Sequence, residues 1–176
     1  GRLRERHNIR FAHYGGPMNL YDRRVKRMKF VLIALASVHL LIPLRHHLYT
    51  GNVNWTEEGH KFAWRMMLRN KNGKGEFIIK DAEGKIIKRE SGRSLLTRRQ
   101  WHKMIGQPDM ILQFAQHLGE KYESEGHSGV SVYADIELKL NDNEYQQFIN
   151  PEVDLMKQKW HAFKSEDWIM PFEYSH

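Results

Sequence analysis

Two stretches of the chain carry the strongest hydrophobic patterning, and they predict different elements. From Phe30 to Leu44 the residues are apolar apart from Ser37 and His39. An unbroken run of this kind reads as a helix that is apolar on every side. From Val130 to Leu140 every even position is apolar and every odd one polar or amphipathic, the alternation of a strand with one buried face. Asn141-Asp142-Asn143 then turns the chain, and Tyr145 to Ile149 can return as the antiparallel partner.

Weaker patterns place the other elements. Phe77-Ile78-Ile79 and Lys85-Ile86-Ile87 flank Asp81-Ala82-Glu83-Gly84, which predicts a β-hairpin with a glycine turn. Thr97 and Gln100 have capping-box spacing and should open a short helix. Pro108 suits the first turn of the next helix, whose Ile111, Phe114, Ala115, Leu118 and Tyr122 recur on one face to about Glu123. Thr56 to Leu68 has helix formers at apolar spacing, although Trp55 to Gly59 reads equally well as loop. From Asn150 to Pro171 the apolar residues keep no period, as expected of extended chain lying over a sheet. The expected fold class is α+β: one N-terminal transmembrane or membrane-embedded helix, then a small antiparallel sheet with helices.

Charge changes the reading of the apolar run. Residues 1–29 hold nine basic side chains against Glu5 and Asp22, and the remaining residues balance, so the whole excess of +7 lies before Phe30. Fifteen residues at roughly 1.5 Å each cover about 22 Å, short of a hydrocarbon layer roughly 30 Å thick. A span becomes feasible if Lys29 snorkels at one end and Arg45, His46, His47 and Tyr49 sit among headgroups at the other. The alternative is a buried helix of a soluble core. Basic residues on one side fit the positive-inside rule, which divides the chain into a basic cytoplasmic segment (1–29), a membrane helix (30–49) and a lumenal or periplasmic α+β domain (50–176). A basic arm also suits nucleic acid, but no reading motif with interleaved aromatics follows it. The opening Gly1-Arg2-Leu3-Arg4 resembles no signal peptide, and the chain is expected to be a piece of a longer protein. There is no cysteine, which excludes disulfides and thiolate metal sites within it.

The densest chemistry lies just beyond the run, in Asn54-Trp55-Thr56-Glu57-Glu58-Gly59-His60 and on to Trp64 and Met66. Glu57, Glu58 and His60 offer an acid–base set that Trp55 and Trp64 could wall off from water. The plain alternative is a helix start with carboxylates near the positive end of its dipole. His46, His47 and His60 follow no known metal-ligand spacing, adjacent histidines being expected to point apart, and no phosphate loop or nucleophile elbow occurs. Met66-Met67 reads first as core filling.

The order Leu41-Ile42-Pro43-Leu44-Arg45-His46, Gly51-Asn52-Val53-Asn54-Trp55-Thr56-Glu57-Glu58-Gly59-His60, and Phe62-Ala63-Trp64-Arg65-Met66-Met67 resembles the vitamin K-dependent gamma-glutamyl carboxylase family and its bacterial relatives. Later blocks agree: Pro108 to Ala115, Gln146 to Leu155, and Asp167 to Pro171. The resemblance runs from about Phe30 to Pro171. It implies a membrane enzyme that oxidises vitamin K hydroquinone with oxygen. The strong base so formed removes a glutamate γ-proton, and the carbanion takes up carbon dioxide. Such a base survives only in a site closed to water.

In the family the catalytic lysine lies on membrane helices upstream of this region, so the resemblance assigns no catalytic residue here. It implies that Trp55, His60, Trp64 and Met66 line the place where glutamate and quinone meet. His60 stands where animal members have tyrosine, Gly59 where they have leucine and Arg69 where they have histidine. The implied partners are the lipid bilayer, the parent's upstream membrane helices and a glutamate-containing peptide or protein, with no nucleic acid and no metal. The alternative function is a non-catalytic, membrane-anchored exported binding domain.

Overall fold

A computed structural model describes residues 18–63 and 69–174, with side chains from residue 22 onward. The basic residues Arg2, Arg4, Arg6 and Arg10 lie outside these, as do Trp64 and Met66. The chain forms two compact units, residues 1–40 and 41–176.

The first unit is occupied by helix α1 (Met18–Leu44), which continues into the second. It reaches well ahead of Phe30, and 27 residues span about 40 Å. From Phe30 to Leu40 every side chain is exposed. Residues Asp22–Leu48 form a stretch long and apolar enough to cross a membrane, which the fifteen-residue run alone did not reach. His39, the polar group in mid-run, donates from Nδ1 to the Leu35 carbonyl at 2.8 Å, so its partner is the helix itself. Near the end Pro43 has no N–H to continue the ladder, and the chain tightens into a 3-10 turn at Arg45–Leu48.

The second unit is an α+β layer pair. Strands β1 (Lys71–Lys80), β2 (Ile86–Glu90), β3 (Ser131–Leu140) and β4 (Gln146–Gln147) form an antiparallel sheet in the order β2-β1-β3-β4. The β1–β2 hairpin turns where its glycine requires, with Gly84 at φ +80°. Strand β1 runs further back than its apolar end indicates, pairing along its whole length with β3 from Lys71↔Leu140 to Lys80↔Ser131. Beyond β2, residues 92–94 make one 3-10 turn.

Helix α3 (Arg98–Met104) opens with the expected capping box, Thr97 accepting from the Gln100 amide while the Gln100 side chain reaches back to the Thr97 amide. Helix α4 (Pro108–Ser124) starts on Pro108 and buries Ile111, Leu112, Ala115, Leu118 and Tyr122. These pack with Val132, Ala134, Ile136 and Leu138 of β3 and with Phe77 and Ile79 of β1 in one core. The tail from Asn150 is largely irregular, with a 3-10 turn at Leu155–Lys157, and it returns to the sheet edge through an Ile149↔Ile169 bridge. Leu155 and Trp168 are buried by this wrapping.

Candidate functional site

Residues 57–63 are not the start of the helix that the spacing over 56–68 predicts; from Glu57 to Gly59 the chain takes the loop alternative. Helix α2 (Val53–Thr56) is a single turn, N-capped by Asn52 Oδ1 accepting from the Asn54 amide at 2.9 Å. It stops because the next residues turn left-handed: Glu57 at φ +61°, Gly59 at +68° and Phe62 at +66°. Glu57 is therefore a helix C-cap rather than a helix start. At Gly59 the backbone also passes so close to the 3-10 turn that a Cβ would come within 2.6 Å of the Tyr49 ring and 2.8 Å of the His46 Cα. Glycine is what lets this loop seat against the end of α1.

The left-handed turn aims Glu57 at two cations. Arg69 donates from Nε to Oε1 and from Nη2 to Oε2, both at 2.6 Å, a bidentate pair. Lys71 Nζ lies 2.7 Å from the same Oε1 and also donates to the Trp55 carbonyl at 2.6 Å and the Gly106 carbonyl at 3.2 Å. Burial pulls the Lys71 ammonium down to about 8 from 10.5, outweighing the attraction of Glu57. Arg69 extends the network, Nη1 donating to His60 Nε2 at 2.6 Å. Guanidinium has no acceptor, so Nε2 is the accepting atom in this contact.

Glu58 points the other way. It is buried, and its Oε1 accepts from the Glu166 amide at 2.7 Å. Burial raises its carboxyl above the usual range despite that bond. Glu166 in turn accepts from the His161 amide at 2.6 Å, and Tyr49 donates its hydroxyl to the Ala162 carbonyl. These bonds fix the tail segment against the 57–60 loop.

Between loop and tail lies a cavity of about 260 Å³, walled by Arg45, His60, Lys61, Arg69, Asp109 and Trp160 among others. Its two carboxylates are already matched, Glu57 by Arg69 and Lys71, and Asp109 by Lys61. Arg45 donates from Nη2 to the Lys61 carbonyl at 3.0 Å; its Nε is buried without a partner, and no carboxylate pairs with it among the described residues. Adjoining is an open apolar slot of about 560 Å³, formed by Leu41, Ile42, Leu44, Leu48, Phe62 and Phe163, with Arg45 on its border. A basin of about 340 Å³ on the far side of Glu57 and Arg69 is bordered by Lys71, His102 and Lys103.

Of the residues expected to line a site, His60 stands on the wall of this cavity. Trp55 sits in the core instead, fully buried against Phe148 and Phe172, with its indole N–H donating to the Met170 carbonyl at 2.8 Å. Trp64 and Met66 lie outside the described residues. The histidines expected to point apart, His46 and His47, lie with their ring centroids 4.0 Å apart in the 3-10 turn. Sequence reasoning did not find Arg45, Asp109 or Lys71 as site residues. A signal for Asp109 existed in its place on the first turn of α4. With both glutamates held by fixed partners, what the cavity offers is recognition: a cationic corner at Arg45, a histidine and an apolar annexe.

Residues 24–175 match the family profile described as vitamin K-dependent gamma-carboxylase, lumenal domain. No solved structure matches the chain.

Proposed function

Because the chain belongs to the vitamin K-dependent gamma-carboxylase lumenal-domain family, we propose that it forms the substrate-facing exported part of a membrane protein that couples vitamin K hydroquinone oxidation to carboxylation of glutamate side chains. The observation that carries this reading is the adjacency of two unlike spaces at the end of an apolar span, a small cavity with a cationic corner and an apolar slot. A glutamyl carboxylate suits the first, where Arg45 can receive its charge. The carbon-lined slot suits the ring and tail of a lipid-soluble quinol. When bound, the quinol would supply the electrons that turn oxygen into a strong base.

This chain's residues bind and position. Arg69 keeps the His60 ring oriented on the cavity wall, and the tail held by Glu58 helps to close the cavity from one side. Lys71 is no substitute for the upstream base. Its low affinity for protons is tempting, but Glu57 and two carbonyls occupy its ammonium. Trp64 and Met66 keep, as proposals, the substrate-facing roles the resemblance implies. A membrane-anchored binding domain without chemistry is the second reading, favoured by the bidentate pairing of Glu57 with Arg69 and the bond that ties Glu58 to the Glu166 amide.

The test is hydroquinone-dependent incorporation of labelled carbon dioxide into a glutamyl peptide. A longer protein containing this chain and the upstream helices, in detergent, should incorporate label, and the 176-residue chain alone should not. His60→Ala in the longer protein should cut incorporation while circular dichroism and the melting temperature stay put. A folded longer protein that neither carboxylates nor epoxidises would leave the binding-domain reading in its place.

A further inference from the structure

Arg45 borders both the polar cavity and the apolar slot. Leu41, Ile42, Leu44 and Leu48, which make most of the slot, belong to the same apolar stretch as the candidate membrane span. The slot is therefore a continuation of the face that would meet lipid. Two loop phenylalanines complete it, and both stand out against the ordinary tendency of aromatics to bury. Phe62 is 77 % exposed while holding a left-handed backbone, and Phe163 is 71 % exposed. Among the described residues nothing else covers them. The charge next to this slot is unbalanced, because the cavity's carboxylates are matched and Arg45 is not. Its Nε is buried and one Nη2 hydrogen goes to the Lys61 carbonyl, so the remaining Nη hydrogens are the ones left for an oxyanion.

We propose that Arg45 and the slot beside it form a binding site for an anionic phospholipid, with the phosphate on the guanidinium and an acyl chain along Leu41, Leu44, Leu48, Phe62 and Phe163. The site rests on the apolar stretch lying in lipid, as the proposed function does, but not on any carboxylation; because Arg45 and the slot are the places given above to glutamate and quinol, the phospholipid is the occupant of the substrate-free state and leaves when they bind. A lipid held there would fill the slot's open side and set the depth at which the 57–63 loop meets the headgroups. Arg45 is suited to this by its fixed fork, and the neighbouring His46, His47 and Lys61 supply the polar and cationic surroundings typical of a headgroup layer.

The sequence contains no cysteine, so a bimane probe can be placed singly at Phe163→Cys, where its ring replaces the phenyl. The full 176-residue chain in maltoside micelles is titrated with phosphatidylglycerol or phosphatidylcholine of identical chains, each carrying a doxyl quencher near the headgroup. Phosphatidylglycerol should quench at a mole fraction roughly fivefold or more below phosphatidylcholine, the ratio that one basic residue at a lipid surface provides. Arg45→Gln should erase that preference and Arg45→Lys should retain most of it, with unchanged circular dichroism in both. A probe at Glu83→Cys, in the distal hairpin turn, should show no preference. Equal quenching by both lipids at position 163, or a preference that survives Arg45→Gln, overturns the anionic-lipid site while leaving membrane contact intact. Absence of quenching by either lipid overturns the slot as a lipid surface. Co-flotation of the same chain with vesicles reports separately on whether the apolar stretch inserts.

Discussion

At the residue scale the site is organised by Glu57 and its two charged partners, Arg69 and Lys71. The side chains of Glu57 and Lys71 are 10 % and 8 % exposed, so their attraction is hardly screened, but both have lost their water. Removing the carboxylate strands two cations in a dry place. Glu57→Gln should therefore lower unfolding free energy by about 3 kcal/mol, read from urea melts. Glu137→Gln, in the exposed pair with Lys74, should leave the midpoint unmoved. Lys71 makes a second, signed prediction. Its folded pKa of about 8 lies below the unfolded 10.5, so between those values the unfolded chain binds the extra proton and stability rises with pH. The rise from pH 8 to 10 should be about 2 kcal/mol, and Lys71→Met should abolish it. The measurement stops at pH 10 because burial raises the Tyr49 phenol, which holds its proton longer in the folded state and so subtracts stability above that point.

At the element scale, legibility followed hydrogen-bonding logic more closely than hydrophobicity. The capping box at Thr97, Pro108 at the start of α4 and the alternation in β3 were readable because each is local, settled by residues within a few positions of one another. Strand β1 was recognised only at Phe77–Ile79. Counting back by twos from Ile79 gives Phe77, Gly75, Gly73 and Lys71, one face of the strand, and two glycines and a lysine conceal it. Gly73 is there because Ile105 packs where its Cβ would be, at 2.7 Å, and Lys71 because its ammonium reaches Glu57. The 57–63 loop was misread as helix for a different reason. Three left-handed residues end α2, and two of them, Glu57 and Phe62, carry side chains that disfavour that backbone, so only tertiary contacts dictate the turn. Gly59→Ala tests the point: a strained φ and a clash with Tyr49 and the His46 backbone should together cost roughly 2–4 kcal/mol. Hydrogen exchange should show the loss concentrated in residues 45–63.

At the scale of the whole molecule, the candidate site mattered most where sequence reasoning was weakest, since the cavity joins the end of α1, the 57–60 loop, the start of α4 and the tail. His60 was legible as a polar residue in a dense motif; Arg45, Lys71 and Asp109 were not, because what unites them is long-range packing. The same scale decides topology. The net charge of +7 is carried entirely by residues 1–29, and those flank an apolar stretch whose other end feeds the cavity. If that asymmetry orients insertion, the basic end stays in the cytoplasm and the sheet is exported. Single cysteines at Arg24 and Glu83, each the sole thiol of its variant, can be probed in intact bacterial cells with a membrane-impermeant maleimide. Position 83 should label in intact cells and position 24 only after lysis. The reverse pattern would put the cavity on the cytoplasmic face and remove the lumenal setting that a carboxylase-like role requires. Labelling of both before lysis would mean that the helix does not cross at all. In that case its exposed apolar side chains would need a protein partner, because side chains bared over the whole of Phe30 to Leu40 are not a surface that water tolerates.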